Sequence, residues 1–187
     1  RHTRFRNVTG VQTCALPILR AGATASAGPL IKLHERGDPA TKLDLLVLGD
    51  GYTAAERGKF ERDARRLLAT LFATSPFKER ENDINVWGLV PASTGSGISS
   101  PSQHLYKRTA LGTTYDTFDS ERYVLTEQNR AFRDIAANAP YEVVEILTNS
   151  EKYGGGGIYN LYSTVAADSQ WAPYIFVHEF EIGRAHV

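Results

Sequence analysis

The sequence predicts a domain of the α/β (α+β) class, a mixed sheet with helices packed against it. Two observations predict this class. Short apolar runs alternate with stretches of helical period between residues 42 and 147, in the order strand, helix, strand, helix, strand. A further strand is then predicted at residues 158–165, and an apolar stretch after it leads into His178 and Glu179 on a predicted final helix.

The composition is that of an ordinary globular domain. The 187 residues are 42% hydrophobic and 22% charged, which is enough to bury a core in a single domain. The 21 basic and 21 acidic residues give a formal net charge of zero, so charge does not favour nucleic acid or an anionic membrane as a partner. No apolar stretch approaches the roughly 20 residues of a membrane-spanning helix.

Both ends of the chain are explained as translated adapter DNA. Residues 181–187 back-translate to GAG ATC GGA AGA GCA CAC GTC, which contains the start of a common sequencing adapter. Residues 13–18 back-translate to ACG TGT GCT CTT CCG ATC, the reverse complement of the same string. Residues 1–18 and 181–187 are therefore predicted to be adapter-derived and not native. The alternative is that Glu181 is genuine and the final helix continues through it.

The first structured element is expected shortly after residue 41. Residues 19–41 are predicted to be a linker or the tail of a lost N-terminal region, because their first half is rich in Ala, Gly and Ser. The apolar run at residues 42–48 predicts a buried strand. Asp50, which lies between two glycines, is interpreted as a turn-forming residue.

A helix is expected after this turn, with Thr53 as its N-cap and Glu56 in capping-box register. Residues 83–91 predict a second strand, residues 119–138 a second helix and residues 142–147 a third strand.

The four glycines at residues 154–157 are interpreted as a flexible turn before an edge strand at residues 158–165. A phosphate-binding loop is not favoured, because no Gly-Lys-Ser/Thr sequence follows them. His34 and His104 lie in predicted loops and are expected to be solvated.

His178 and Glu179 form the first half of the pattern His-Glu-x-x-His. In that pattern residues four apart share one helix face, so two imidazoles hold zinc and the carboxylate takes a proton from metal-bound water. Position 182 is Ile182, so the second histidine is absent. If only the first base of codon 181 is native, that base is G, which fits glycine and predicts a native continuation Gly-His. His186 lies two turns beyond His178, about 12 Å along a helix, and is not expected to replace it.

An edge strand shortly before a His-Glu helix is the arrangement of zincins. In these enzymes the edge strand forms the upper rim of the cleft and pairs with an extended peptide substrate through backbone hydrogen bonds. Residues 42–180 are accordingly predicted to be the N-terminal part of a zincin-like catalytic domain, truncated at the active-site helix.

Several motifs in the same order resemble a named family, the IgA-cleaving metallopeptidases, number sixty-four among metallopeptidases. The matching segments are residues 45–53, 84–86, 108–113, 153–159 and 176–180. The family pattern continues with Gly-His and then a Gly-Leu-Ala-Asp-Glu-like segment, and both would lie beyond Phe180.

The resemblance implies a secreted or envelope-associated bacterial zinc endopeptidase that acts on a protein or peptide. His178 would be the first zinc ligand, and Glu179 would be the general base that activates the zinc-bound water. Because the second and third ligands would lie beyond Phe180, the present chain is expected to be inactive and to bind zinc weakly at most.

Two other readings of the sequence are retained. Residues 47–51 are similar to the Gly-Asp-Ser block of serine esterases, but Gly51 stands where the nucleophile would be. A peptidase-like domain that only binds protein or glycan is the other alternative, and it would be favoured if the native gene lacked the second histidine.

Overall fold

The computed structural model describes residues 26–182 of the chain. Within these residues the chain forms six strands, β1 (Ile31–His34), β2 (Leu43–Asp50), β3 (Ile84–Leu89), β4 (Val143–Thr148), β5 (Gly155–Ile158) and β6 (Tyr162–Ala166). Three α-helices accompany them, α1 (Arg57–Leu71), α2 (Asn129–Ala136) and α3 (Ala172–Ile182). None of the described helices is both long enough and apolar enough to span a membrane.

The strands form one mixed sheet in the order β1-β3-β2-β4-β6-β5. The four inner strands are parallel, and β1 and β5 are antiparallel strands at the two edges. The predicted α+β class and the mixed sheet are confirmed. The strands predicted at residues 42–48, 83–91 and 142–147 correspond to β2, β3 and β4.

Helices cover both faces of the sheet, and this explains why the central strand reads as a continuous apolar run. Alternate residues of β2 point to opposite faces, so Leu45 and Val47 pack beneath α1 and α3, while Leu46 and Leu48 pack beneath α2. All four of these side chains are fully buried. The two cores are therefore separated only by the sheet.

The helix expected after β2 begins as predicted. The Thr53 hydroxyl and backbone N–H both donate to the Glu56 carboxylate at 2.8 Å, and a short 3₁₀ turn leads into α1. The buried face of α1 is apolar and includes Phe60 and Leu67, which pack on the sheet beside α3. The capping box thus fixes where this helix starts, and its apolar stripe fixes which side is buried.

Strand β1 lies inside the segment that was predicted to be a linker. Ile31 pairs with Gly88 of β3, and both Ile31 and Leu33 are buried against the core. The linker interpretation does not hold for these four residues. Their alternation is too short to be recognised in the sequence, and they are ordered by a strand far along the chain.

His34 is correspondingly not in a solvated loop, so that prediction is wrong. It ends β1, its ring lies 4.6 Å from the ring of Phe72, and its Nε2 lies 3.2 Å from the Glu81 carbonyl oxygen. Burial lowers the pKa of this histidine. His104 does lie in a loop, directly after a short 3₁₀ turn.

The second helix is much shorter than predicted. Residues 119–138 were expected to be helical, but α2 comprises only Asn129–Ala136. Upstream of α2 the backbone bonds elsewhere: Leu125 pairs with Thr114, and Tyr123 with Gly155. These bonds to distant segments satisfy backbone groups that a longer helix would have used internally.

The glycine segment and the edge strand also differ from the prediction. Gly155–Ile158 form the edge strand β5, a tight turn follows at residues 159–161, and Tyr162–Ala166 form β6 in the interior of the sheet. The predicted strand at residues 158–165 is therefore a hairpin, and the predicted glycine turn is the true edge. An edge strand still precedes the final helix.

Candidate active site on the final helix

The final helix is anchored by an apolar face. Ala172, Ile175, Phe176 and Phe180 of α3 are all buried in the core that lies over β2 and β6. The Phe180 ring meets the Phe77 ring edge to face at 5.0 Å. The helix start is held by Ser169, whose carbonyl oxygen accepts from the Ala172 N–H at 2.9 Å. The position of α3 on the sheet is thus fixed along its length.

The two residues predicted for the site lie on the last turns of α3, at the margin of this buried face. His178 and Glu179 are both half-buried, so they are reachable from solvent while their backbone is held by the buried face. The His178 ring stacks on the Tyr174 ring one turn earlier, with 5.4 Å between centroids and 17° between planes. This stacking restricts the orientation of the imidazole.

Glu179 reaches the edge strand because β5 has no side chains in the way. A Cβ on Gly157 would lie 3.0 Å from Glu179 Oε2, and a Cβ on Gly155 would lie 2.8 Å from Ile175 Cγ2. The glycines therefore allow α3 and β5 to approach more closely than strands with side chains permit. The carboxylate of Glu179 lies at the rim that β5 forms.

Burial between α3 and β5 raises the pKa of the Glu179 carboxyl, and the neighbouring His178 acts in the opposite direction. Desolvation disfavours the charged carboxylate because less water is available to stabilise it. A carboxylate with a raised pKa holds a proton more readily than an exposed one, as proton-accepting groups in enzymes do.

A second carboxyl, for which the sequence gives no signal, lies beneath this site. Glu145 of β4 is fully buried, accepts a hydrogen bond from the Ser163 hydroxyl on β6, and has no partner for its Oε1 within the described residues. Burial raises the pKa of Glu145 well above its usual value, and the nearby Glu179 charge adds to this. Both effects favour the protonated form of Glu145.

A cleft of about 370 Å³ opens between the β5–β6 hairpin and the second half of α3. Its walls include Ser163, Glu179 and Phe180, together with the hairpin residues 158–162. The cleft has the size range of ligand-binding pockets in proteins. It places Glu179 at the wall of a space that is open to solvent.

The outer edge of β5 is only partly available for a peptide. Gly155 uses both of its outward backbone groups: its N–H donates to the Arg122 carbonyl at 3.1 Å, and its carbonyl accepts from the Val124 N–H at 3.2 Å. Backbone groups alternate in direction along a strand, so those of Gly157 also point outward. Gly157 is exposed. The free part of the rim is therefore beside Glu179.

The described residues do not by themselves fit a zinc ion. Across residues 26–182, no three side chains from His, Cys, Asp and Glu are grouped to hold a metal. Helix α3 supplies one imidazole, His178, and the position four residues later is Ile182. His186 lies outside the described residues, as do residues 1–18 and residues 183–187 of the segments that were predicted to be adapter-derived, 1–18 and 181–187.

Asp50 is not the turn-former that the sequence predicted. It ends β2, is fully buried, and accepts hydrogen bonds from the backbone N–H groups of Leu111 and Thr113 and from the hydroxyls of Thr109 and Thr113. The carboxylate therefore organises the loop at residues 109–113. Position 51 is a glycine and cannot supply a nucleophile. The alternative of a serine esterase is therefore not supported.

The described domain is a mixed sheet with an antiparallel glycine edge, and the final helix places Glu179, the neighbour of His178, beside that edge. A sequence model of the family described as IgA Peptidase M64 matches residues 31–185. The chain belongs to the IgA peptidase M64 family. Among curated proteins, no relative matches the chain.

Proposed function

We propose that the domain is the N-terminal part of a zinc-dependent endopeptidase that hydrolyses peptide bonds in proteins. His178 is the first zinc ligand and Glu179 the general base. The observation that carries the proposal is the position of the Glu179 carboxylate, on the helix of His178 and against the exposed edge residue Gly157. A peptide that paired with this edge would bring a carbonyl group next to a proton acceptor.

The environment of Glu179 supports its role as the base. A general base is most effective when its pKa is near the working pH, and burial raises the pKa of Glu179 in that direction. Gly157 leaves room for the carboxylate at the cleft wall. The stacked Tyr174 ring limits the motion of His178.

The present chain lacks what a catalytic zinc site requires, which is normally three protein ligands. We therefore propose that the native helix continues with glycine at 181 and histidine at 182, and that a third ligand lies further on. This follows from the interpretation of residues 181–187 as adapter-derived. With Ile182 in place, the chain is expected to have no peptidase activity and at most weak zinc binding. The proposed setting, extracellular or at the cell envelope, rests on the family resemblance alone.

Zinc titration of the Ile182→His variant tests this assignment. The second imidazole would join His178 on one helix face, so zinc should bind at least about tenfold more tightly than in the unmodified chain, about 1.4 kcal/mol. The double variant His178→Ala/Ile182→His is the matched control, and it should lose this increase. Equal zinc affinity in all three proteins would show that His178 is not a ligand.

A second candidate is a non-catalytic domain that binds protein or glycan. The exposed aromatic side chains near His178 favour it, because Trp171 is 54% exposed and Tyr174 is 64% exposed. This candidate replaces the peptidase if the native residue at position 182 is not histidine. Chelator-sensitive peptide hydrolysis by the intact native protein would exclude it.

A further inference from the structure

Three exposed aromatic side chains form a cluster at the start of α3, and we call this cluster the aromatic subsite. Tyr153, Trp171 and Tyr174 are 49%, 54% and 64% exposed. Among the described residues, they alone line a shallow, open space of about 540 Å³. Single exposed aromatic residues are common on protein surfaces, but three that share one space indicate a binding surface.

The aromatic subsite is continuous with the proposed catalytic pair. Trp171, Tyr174 and His178 are spaced three and four residues apart, so they form one stripe on the surface of α3. The Tyr174 ring contacts the His178 ring directly, with 5.4 Å between centroids. A ligand seated on Tyr174 would therefore lie beside the imidazole.

The chemistry of the lining selects against an anionic group. No charged side chain lines the space, so a carboxylate would lose hydration there without gaining a counter-charge. The two phenol hydroxyls and the indole N–H have no hydrogen-bond partner within residues 26–182, and they remain available at the rim. Flat faces with polar edges suit an aromatic or branched apolar side chain.

We infer that the aromatic subsite binds a large apolar or aromatic side chain of the protein substrate, at a short distance along the peptide from the bond to be cleaved. The inference rests on the proposed function, because it assigns the occupant as part of the same peptide. The direct contact of Tyr174 with His178 supports a peptide as the occupant, since a segment bound beside His178 would also reach the subsite.

The separation along α3 sets the position of that side chain in the substrate. Tyr174 and Glu179 are five residues apart on the helix, about 7.5 Å along its axis at 1.5 Å per residue. An extended peptide advances about 3.3 Å per residue. Because the two side chains also lie on different sides of the helix, the side chain in the aromatic subsite belongs to a residue at least about two positions from the peptide bond that lies over Glu179.

Trp171 provides a direct signal for this test. The chain has two tryptophans, and the other one, Trp87, is 4% exposed and donates a hydrogen bond to Asp44 in the core. A change in tryptophan fluorescence on adding a ligand therefore reports on Trp171. The titration is made on the full chain with a chelator present, so that it does not depend on zinc.

The probes are blocked pentapeptide amides of alanine with a central Phe, Leu, Ser or Asp. The Phe and Leu peptides should give a saturable change, and the Ser and Asp peptides should bind at least about tenfold more weakly, a difference of about 1.4 kcal/mol. The variant Tyr174→Ala should weaken the Phe peptide by a similar factor. The matched control is Tyr106→Ala, which removes a 72% exposed tyrosine from a loop away from α3 and should change nothing.

Three results would overturn the inference. The first is that the Phe and Ser peptides bind equally, or that neither gives a saturable change up to millimolar concentration. The second is that Tyr106→Ala and Tyr174→Ala weaken the binding of the Phe peptide equally. The third is a saturable response to chitotriose or maltotriose with none to peptides, which would assign the surface to glycan. The zinc titration above decides the proposed function separately, so either one can fail while the other holds.

Discussion

The close contact between α3 and the glycine edge predicts that a single methyl group on Gly155 destabilises the fold. A Cβ at this position would lie 2.8 Å from Ile175 Cγ2 and 2.8 Å from the Thr164 carbonyl oxygen. The second atom belongs to the backbone of β6 and cannot turn away. Forcing an extra carbon into a packed contact of this kind costs about 1–3 kcal/mol.

In a domain of this size each kcal/mol lowers the melting temperature by about 2–4 °C, so Gly155→Ala should lower it by roughly 2–12 °C. Thermal unfolding followed by circular dichroism measures this shift. Gly95→Ala is the matched control, because a Cβ there meets nothing within 4 Å, and its effect should stay within about 0.5 kcal/mol. If Gly155→Ala melts within about 1 °C of both the control and the unmodified chain, α3 is not packed against β5 as described.

Three further predictions follow from buried groups. Burial raises the pKa of Glu145 in the folded protein above its unfolded value near 4.5. The stability that protonated Glu145 contributes is therefore present below about pH 4.5 and is lost as the pH rises through the folded pKa. Glu145→Gln should make the urea-unfolding free energy less dependent on pH above about 4.5, and an unchanged slope would contradict a neutral Glu145. Asp50→Ala leaves buried donors such as the Thr113 N–H without an acceptor. It should lower the free energy of unfolding by roughly 3 kcal/mol or more, because each hydrogen bond left unmade costs about 1–3 kcal/mol. A loss below about 1 kcal/mol in urea unfolding would show that another acceptor replaces the carboxylate. Phe180→Ala removes a ring that is 2% exposed and packs on Phe77. It should lower the free energy of unfolding by about 3–5 kcal/mol in the same assay. A smaller loss would mean that the end of α3 is loosely packed.

The sequence predicted those elements whose cause is local. The strands β2, β3 and β4 are apolar runs covered on both faces, and α1 has an apolar stripe that begins at a capping box. Each of these signals lies within the element itself, so no knowledge of distant residues was required.

The elements that were mispredicted depend on distant partners. Strand β1 exists because Ile31 meets Gly88, and the helix expected from residue 119 is replaced by backbone bonds between Tyr123 and its neighbours and Gly155. Four glycines in a row favour a turn by local preference, yet here three of them begin β5, because only glycine lets α3 and the loop at residues 122–124 approach so closely. Tertiary contacts override local preference in each case.

The candidate site, like the fold, was predicted only in part. His178 and Glu179 were identified from a short motif, and in the structure Glu179 lies at the wall of a cleft beside the edge strand, next to His178 on α3. Glu145 was not identified, because a lone glutamate in an apolar strand gives no sign of burial until Ser163 on the neighbouring strand is known. The aromatic subsite was missed for a related reason, since Tyr153 joins Trp171 and Tyr174 only through the fold.

The central claim is that α3 is the metal-binding helix of a peptidase whose second imidazole belongs at position 182. The most direct measurement is to read the source gene across the codon of Phe180 without adapter sequence. The account predicts glycine and then histidine as the next two residues, four positions after His178. Any residue other than histidine at position 182 would contradict it, and the domain would then be one that binds its ligand without a metal site.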